Sequence, residues 1–324
     1  MWLNWLPWRY IVRRVARARG FVDPISVLSH LHRFAQPAEV AAPMELLRAG
    51  VVFHARGLMN TGAIQHNLDW VWPYWVERQF DPKDDAFIPR AFSITHVNLT
   101  HRNWTAVGLP DYDALPIVDP RGLLTPFWDG WSLDGWIVAA DGRKLLGSQM
   151  ARVAQHLDWS VPEEFAVVTS ASLDSMSLDG RVMVVPNGGI KDGESPACVQ
   201  RLTAWSESGG WLVVALRPYN PEGVSFVHDV SLDAEGRRWT IDGAQSIEFS
   251  APADRQRMSS YRAGDVFSRL SEGDDSRQIA CDVGMCTAAA MFEIKPGEPR
   301  EITLRIPLAD DSAEPLAATA GRNA

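Results

Sequence analysis

The apolar positions of this 324-residue chain change their period near residue 88. Before that point the spacing is helical. Ile11, Val12 and Val15 form part of one stripe. Ile25, Leu28, Leu31 and Phe34 recur at three-residue steps behind Asp23-Pro24, a capping residue followed by proline at the first helical position. A second short helix is expected over 39–47, ended near Gly50. Between Asn60 and Phe80, the residues Ile64, Leu68, Val71 and Trp75 fall at i, i+4, i+7 and i+11, one helical face with Asn60 or Thr61 available as cap. Pro73 interrupts that face: it has no N–H to donate and collides with the carbonyl four residues back, so a break or a new helix start is expected there. An extended aromatic loop is the competing reading.

Beyond Ile88 short β-branched and aromatic runs take over. The clearest strands are 92–99, 132–139, 165–170, 181–185, 211–216, 223–230, 238–241, 246–249 and 301–307. Turn chemistry separates them, including Asp119-Pro120-Arg121-Gly122, Asp129-Gly130, Asp141-Gly142, Asp179-Gly180 and Asn187-Gly188-Gly189. So many short strands imply a sandwich or barrel, and the lack of a fixed repeat disfavours propellers and solenoids. The run 132–139 alternates little, as a central strand buried on both faces does, whereas 224–230 mixes apolar and polar positions like a one-sided strand. The expected fold is mainly β, a large antiparallel two-sheet sandwich with N-terminal helices packed on it. Its expected segments are a helical and aromatic region at 1–87, the sandwich at 88–308 and a disordered tail at 309–324.

Composition narrows the function classes. At 46% apolar and with no run of eighteen apolar residues, the chain can bury a large core and has no helical membrane span. A formal charge of −9 argues against a nucleic-acid partner, which needs a net basic face. The first twenty residues differ, with Arg9, Arg13, Arg14, Arg17 and Arg19 beside Trp2, Trp5 and Trp8. That island could meet a membrane surface peripherally or pack as a helix on the sandwich. It lacks an apolar signal-peptide core, and Cys198, Cys281 and Cys286 are too few for a disulfide framework; both point to the cytoplasm. The cysteines read as ordinary buried thiols, because Cys281 and Cys286 have no second pair at zinc spacing. No metal and no cofactor is expected, since the nucleophile-elbow, Walker, Rossmann and zinc-protease motifs are all missing.

Aromatic and polar residues alternate between 70 and 136. Trp70, Trp72, Tyr74 and Trp75 come first, followed by His96, Asn98, His101, Arg102, Asn103 and Trp104, then Trp128, Asp129 and Trp131. A pyranose has an apolar C–H face that stacks on indole and hydroxyls that bond Asp, Asn, Arg or His, so these thirteen are the candidate substrate-binding residues. The competing reading is that the tryptophans plug the seam between helices and sheet. Asp69, Asp129 and Asp134 are the carboxylates beside aromatics that a glycosidase would need, although Asp129-Gly130 is also a simple turn.

The stretch 211–223, Trp-Leu-Val-Val-Ala-Leu-Arg-Pro-Tyr-Asn-Pro-Glu-Gly, followed by His228-Asp229-Val230 and the strand Arg238-Trp239-Thr240-Ile241-Asp242-Gly243, resembles the N-terminal supersandwich of glycogen-debranching-enzyme-like and glucoamylase-like proteins. The closing Lys295-Pro296-Gly297-Glu298 turn before 301–304 resembles the last strand of such sandwiches. The resemblance covers about 88–308 and implies a carbohydrate-associated module without the catalytic helical barrel, whose residues have no counterpart here. Three functions are carried forward: binding an oligosaccharide or polysaccharide, or assisting a separately encoded catalytic protein; a stand-alone glycoside hydrolase or sugar-modifying enzyme; and a membrane-surface or assembly factor.

Overall fold

The computed structural model describes residues 60, 63, 64, 66, 67, 69–74 and 76, and residues 104–308 apart from 111, 129, 161–164, 187–195, 222 and 274. The stripes at 11–47, the strand at 92–99, the Asn187-Gly188-Gly189 turn and the tail from 309 lie outside these residues. The chain groups into two compact units, Met1–Leu68 with Trp75–Arg102, and Asp69–Tyr74 with Asn103–Ala324. In the first, Asn60, Ala63, Ile64 and His66 are helical, and the Asn67 side-chain amide donates to the Ala63 carbonyl at 2.6 Å.

The second unit is mainly β and antiparallel. One sheet holds β1 (Thr105–Ala106), β2 (Ile117–Val118), β3 (Leu124–Thr125), β4 (Ser132–Ala139), β5 (Lys144–Leu146), β10 (Gly210–Arg217), β16 (Arg255–Ser259) and β18 (Thr287–Ile294). Its order is β1-β2-β3-β4-β10-β18-β16, with β5 also on β4. The other sheet holds β6 (Ala154–Asp158), β7 (Ala166–Leu173), β8 (Met176–Val185), β9 (Ala197–Ser206), β13 (Asp229–Leu232), β14 (Arg238–Ile241), β15 (Gln245–Phe249), β17 (Gln278–Ala280) and β19 (Arg300–Pro307). Its order is β17-β13-β14-β15-β19-β9-β8-β7-β6. A small ribbon pairs β11 (Tyr219–Asn220) with β12 (Gly223–Val224).

Period-two alternation assembles the core. On β10, Leu212, Val214 and Leu216 join Leu133 and Ile137 of β4 and Phe292 of β18 in one cluster, together with Leu178, Leu202, Trp239 and Leu304 from the second sheet. The alternate positions Val213, Ala215 and Trp136 pack on the opposite face with Val71, Val266 and Leu270. Strand β4 is thus covered on both sides, as its lack of alternation implies.

Two sequence expectations change. The Asp179-Gly180 pair is not a turn but the middle of β8, and the chain reverses at Asp174-Ser175 with Asp174 at φ 50. Gly180 serves close approach instead: a Cβ there would meet Thr169 Oγ1 of β7 at 2.9 Å. The strand expected over 223–230 is broken between β12 and β13 by a loop through Ser225, Phe226 and Val227. At Pro73 the expected break is present: residues 71–73 are extended, with the Val71 peptide groups bonded to Arg217, Tyr219 and Asp265, and Tyr74 and Val76 after it are helical.

Candidate functional site

The aromatic candidates separate into two groups with different surroundings. Trp70 and Trp72 are sealed, at 3% and 4% exposure, and stack with ring centres 6.2 Å apart. Beneath them lies the buried guanidinium of Arg217, on the outer face of β10. It forms a two-pronged pair with Asp265, Nη1 to Oδ1 at 2.7 Å and Nη2 to Oδ2 at 2.6 Å, and donates also to the Tyr219 hydroxyl and the Val71 carbonyl. Its remaining surface faces the rings of Trp136, Tyr219 and Trp70 at 5.2 to 5.9 Å. Burial alone opposes the charge on Arg217, but Asp265 and Tyr219 outweigh it and raise its pKa further. Asp265 in turn accepts the Val71 and Phe267 N–H groups. This cluster ties the 69–74 segment to the sheet. Tyr74 is half-buried, with the Arg121 guanidinium 4.1 Å over its ring.

Asp134 belongs to the same sheet face and is enclosed. Its Oδ2 accepts the Trp136 indole N–H at 2.7 Å and the Ser148 hydroxyl at 2.5 Å, and its Oδ1 accepts the Ser148 N–H at 3.2 Å. Burial raises its pKa, and those donors with Arg217 offset part of the rise. Its role is internal, and Asp69 is exposed elsewhere. Trp104 is half-buried. Trp75, Asp129, His96, Asn98, His101, Arg102 and Asn103 lie outside the described residues.

The second group opens to solvent. Trp128 is 82% exposed at a recess of about 690 Å³ that Phe226 and Leu115, at 47% and 56% exposure, also line. Trp131 lies buried behind it, edge-on to Phe127 with ring centres 5.7 Å apart, its indole N–H donating to Gln245 Oε1. A tight turn presents Trp128: the Gly130 N–H donates to the Phe127 carbonyl at 3.0 Å, and the Asn220 amide pins the Gly130 carbonyl at 2.7 Å. Opposite stands the β14–β15 hairpin, turned by Asp242 and Gly243 at φ 50 and 68. Asp242 Oδ1 accepts the His228 and Asp229 N–H groups at 2.7 and 2.9 Å, which fixes the Phe226 loop to the hairpin tip. The rim therefore offers exposed aromatic faces with carboxylates of Asp113 and Asp242, the Gln245 amide and the Ser225 hydroxyl around them. Among the described residues no group of three or more His, Cys, Asp or Glu is placed to hold a metal. No helix among them is long and apolar enough to cross a membrane.

The structure thus brings together Trp128 and Trp131 of the candidates and adds Phe226, Leu115, Asp113, Asp242 and Gln245. Phe226 was not marked by the sequence, which reads 223–230 as one strand. Ser225 and Val227 are buried while Phe226 and His228 are exposed, so an aromatic occupies a solvent-side register. The hairpin residues carry no local mark, because their neighbours across the recess lie more than a hundred positions away.

No protein-family model and no curated protein matches the chain. Among solved structures, a bacterial glucoamylase complexed with acarbose is similar over 65% of this chain and 34% of its own, at 8% identity and a TM-score of 0.41. A protein assigned as a kojibiose phosphorylase from the human microbiome is similar over 64% of this chain and 26% of its own, at 6% identity and a TM-score of 0.30. The chain therefore spans about a third and about a quarter of their lengths.

Proposed function

We propose that this chain is a carbohydrate-associated β-sandwich protein that binds a glucan or other oligosaccharide at the Trp128 recess. The observation that carries the reading is the 82% exposed indole of Trp128 beside Phe226, with hydrogen-bonding side chains at the same rim. Indole in water forgoes roughly 25 cal/mol for each Å² it could bury, so a flat apolar surface held out by a pinned turn suits a flat apolar ligand face. The recess volume also falls in the range of small-molecule sites. Water is held off one side of the ring, and the carboxylates and amide take the equatorial hydroxyls around it.

The enclosed Asp134 takes no part in this reading. Asp134 is enclosed and already bonded to Trp136 and Ser148, so it does not face a solvent-borne glycosidic oxygen. The test is calorimetry and tryptophan quenching of the full chain against maltooligosaccharides, glycogen and a β-glucan panel. Binding is expected, with Trp128→Ala weakening it at least about tenfold, as loss of a central aromatic anchor does. No binding across the panel, or equal binding by the variant, would overturn the proposal.

A further inference from the structure

Cys281 and Cys286 bracket a tight turn between β17 and β18. Both ends are tied to one neighbouring loop. The Cys281 N–H donates to the His228 carbonyl at 2.7 Å, the Cys286 thiol donates to that same carbonyl at 3.3 Å, and the Cys286 N–H donates to the Val227 carbonyl at 3.0 Å. Gly284, at φ 73, lets the chain curl back between them. As a result the Cys286 sulfur sits beside the Cys281 main chain, the two meeting at one carbonyl oxygen.

The two sulfurs are electrostatically unlike. Burial by itself would raise the Cys281 pKa, but the backbone N–H groups of Met285, Tyr261, Val283 and Gly284 outweigh it and hold the thiol below its ordinary value. Cys286 is pushed up to about 12 by burial and by its neighbour Cys281. Cys281 therefore gives up its proton more readily than Cys286. Cys281, itself 5% exposed, lines an open recess of about 610 Å³ with His228, Ser260 and Arg262, whereas Cys286 is fully buried. The third cysteine, Cys198, is buried on β9 with its thiol pKa driven far upward by burial, and is an internal control.

We propose that Cys281 and Cys286 form a reversible, hydroperoxide-sensitive thiol pair in which Cys281 attacks and Cys286 resolves. The Cys281 thiolate takes the terminal oxygen of a hydroperoxide: an S–O bond forms, the O–O bond breaks, and the departing alkoxide or hydroxide takes a proton from water. The Cys286 sulfur then gives up its proton and attacks the Cys281 sulfenic acid; the S–S bond forms, the S–O bond breaks, and the hydroxide leaves as water. Overall two thiols lose two electrons and the peroxide gains them, giving one disulfide, one alcohol or water, and one further water. A thiol reductant returns the pair.

The experiment treats the folded full chain with hydrogen peroxide, quenches it, denatures it and alkylates the remaining thiols before mass analysis. The expected product has lost two hydrogens and two alkylatable thiols, keeps Cys198 alkylatable, and recovers all three thiols after dithiothreitol. Cys281 should react at least about tenfold faster than Cys198. In Cys286→Ser, dimedone should trap a sulfenic acid on Cys281. Equal reaction of all three cysteines, mixed disulfides in place of the 281–286 linkage, or no loss of thiols would each overturn the proposal without recourse to any variant.

Discussion

Replacing Asp119 by asparagine should flatten a pH dependence that the parent protein carries. Asp119 is fully buried beside β3, where its Oδ1 accepts the N–H groups of Arg121 and Leu123 at 2.8 and 2.9 Å. Its Oδ2 is enclosed with no hydrogen-bond partner among the described residues. Burial raises its pKa from 3.8 to about 7, with the two N–H bonds opposing and Asp134 adding to the rise. Below pH 3.8 the carboxyl is protonated in both folded and unfolded chains and contributes nothing. Between there and about 7 the unfolded chain ionises first, so the folded state holds more protons and stability falls as pH rises; above about 7 the loss is constant. From pH 5 to pH 8 the titration of this one group amounts to about 2.5 kcal/mol, since a proton held only by the folded state changes stability by about 1.4 kcal/mol for each pH step of one. Asparagine keeps the Oδ1 acceptor and does not ionise. The cost of enclosing its amide is the same at every pH, so it drops out of the comparison. Urea unfolding of both proteins at pH 5, 6, 7 and 8 should show the variant gaining about 2.5 kcal/mol on the parent across that range. Parallel stabilities, with a constant difference at all four pH values, would refute the idea that burial governs this carboxyl.

Other consequences are open to direct measurement. Arg217→Met leaves the Asp265 carboxylate enclosed without its cation and should cost about 3–5 kcal/mol in urea unfolding. The double variant Arg217→Met with Asp265→Asn should cost less than the sum of the two singles, and strict additivity would deny the pairing. Phe292→Ala empties a fully buried ring site against Phe249 and should cost about 3–5 kcal/mol, whereas a loss under about 1 kcal/mol would mean that the core closes over the gap. At Gly284, alanine would place a Cβ 2.9 Å from Phe226 Cδ1 and from His228 Cε1, at a φ of 73. Gly284→Ala should lower stability by about 1–3 kcal/mol, and an unchanged unfolding midpoint would contradict that crowding.

Much of the β architecture was legible along the chain because its strands obey local rules. Residues 132–139 and 238–241 coincide with β4 and β14, and the Asp141-Gly142 turn joins β4 to β5 through an Ala139 to Arg143 hydrogen bond. β18 was hidden. Its Ala288, Ala289 and Ala290 have little intrinsic strand preference, and they pair as a strand because β10 and β16 flank them and both faces are covered. Asp179-Gly180 misled for a related reason, since the same dipeptide serves a hairpin turn or a close strand approach, and only Thr169 across the ladder decides which.

The site divides along the same line. Residue type alone marked Trp70, Trp72, Trp128 and Trp131 as aromatic candidates, because indole suits both a buried seam and a sugar face. Which tryptophan is sealed and which is exposed was settled by long-range geometry: Trp70 and Trp72 are buried, Trp70 over Arg217, while the Gly130 turn holds Trp128 outward opposite the Asp242 hairpin. Exposure is a property of what the rest of the chain covers, and local periodicity records only the faces a segment offers for covering.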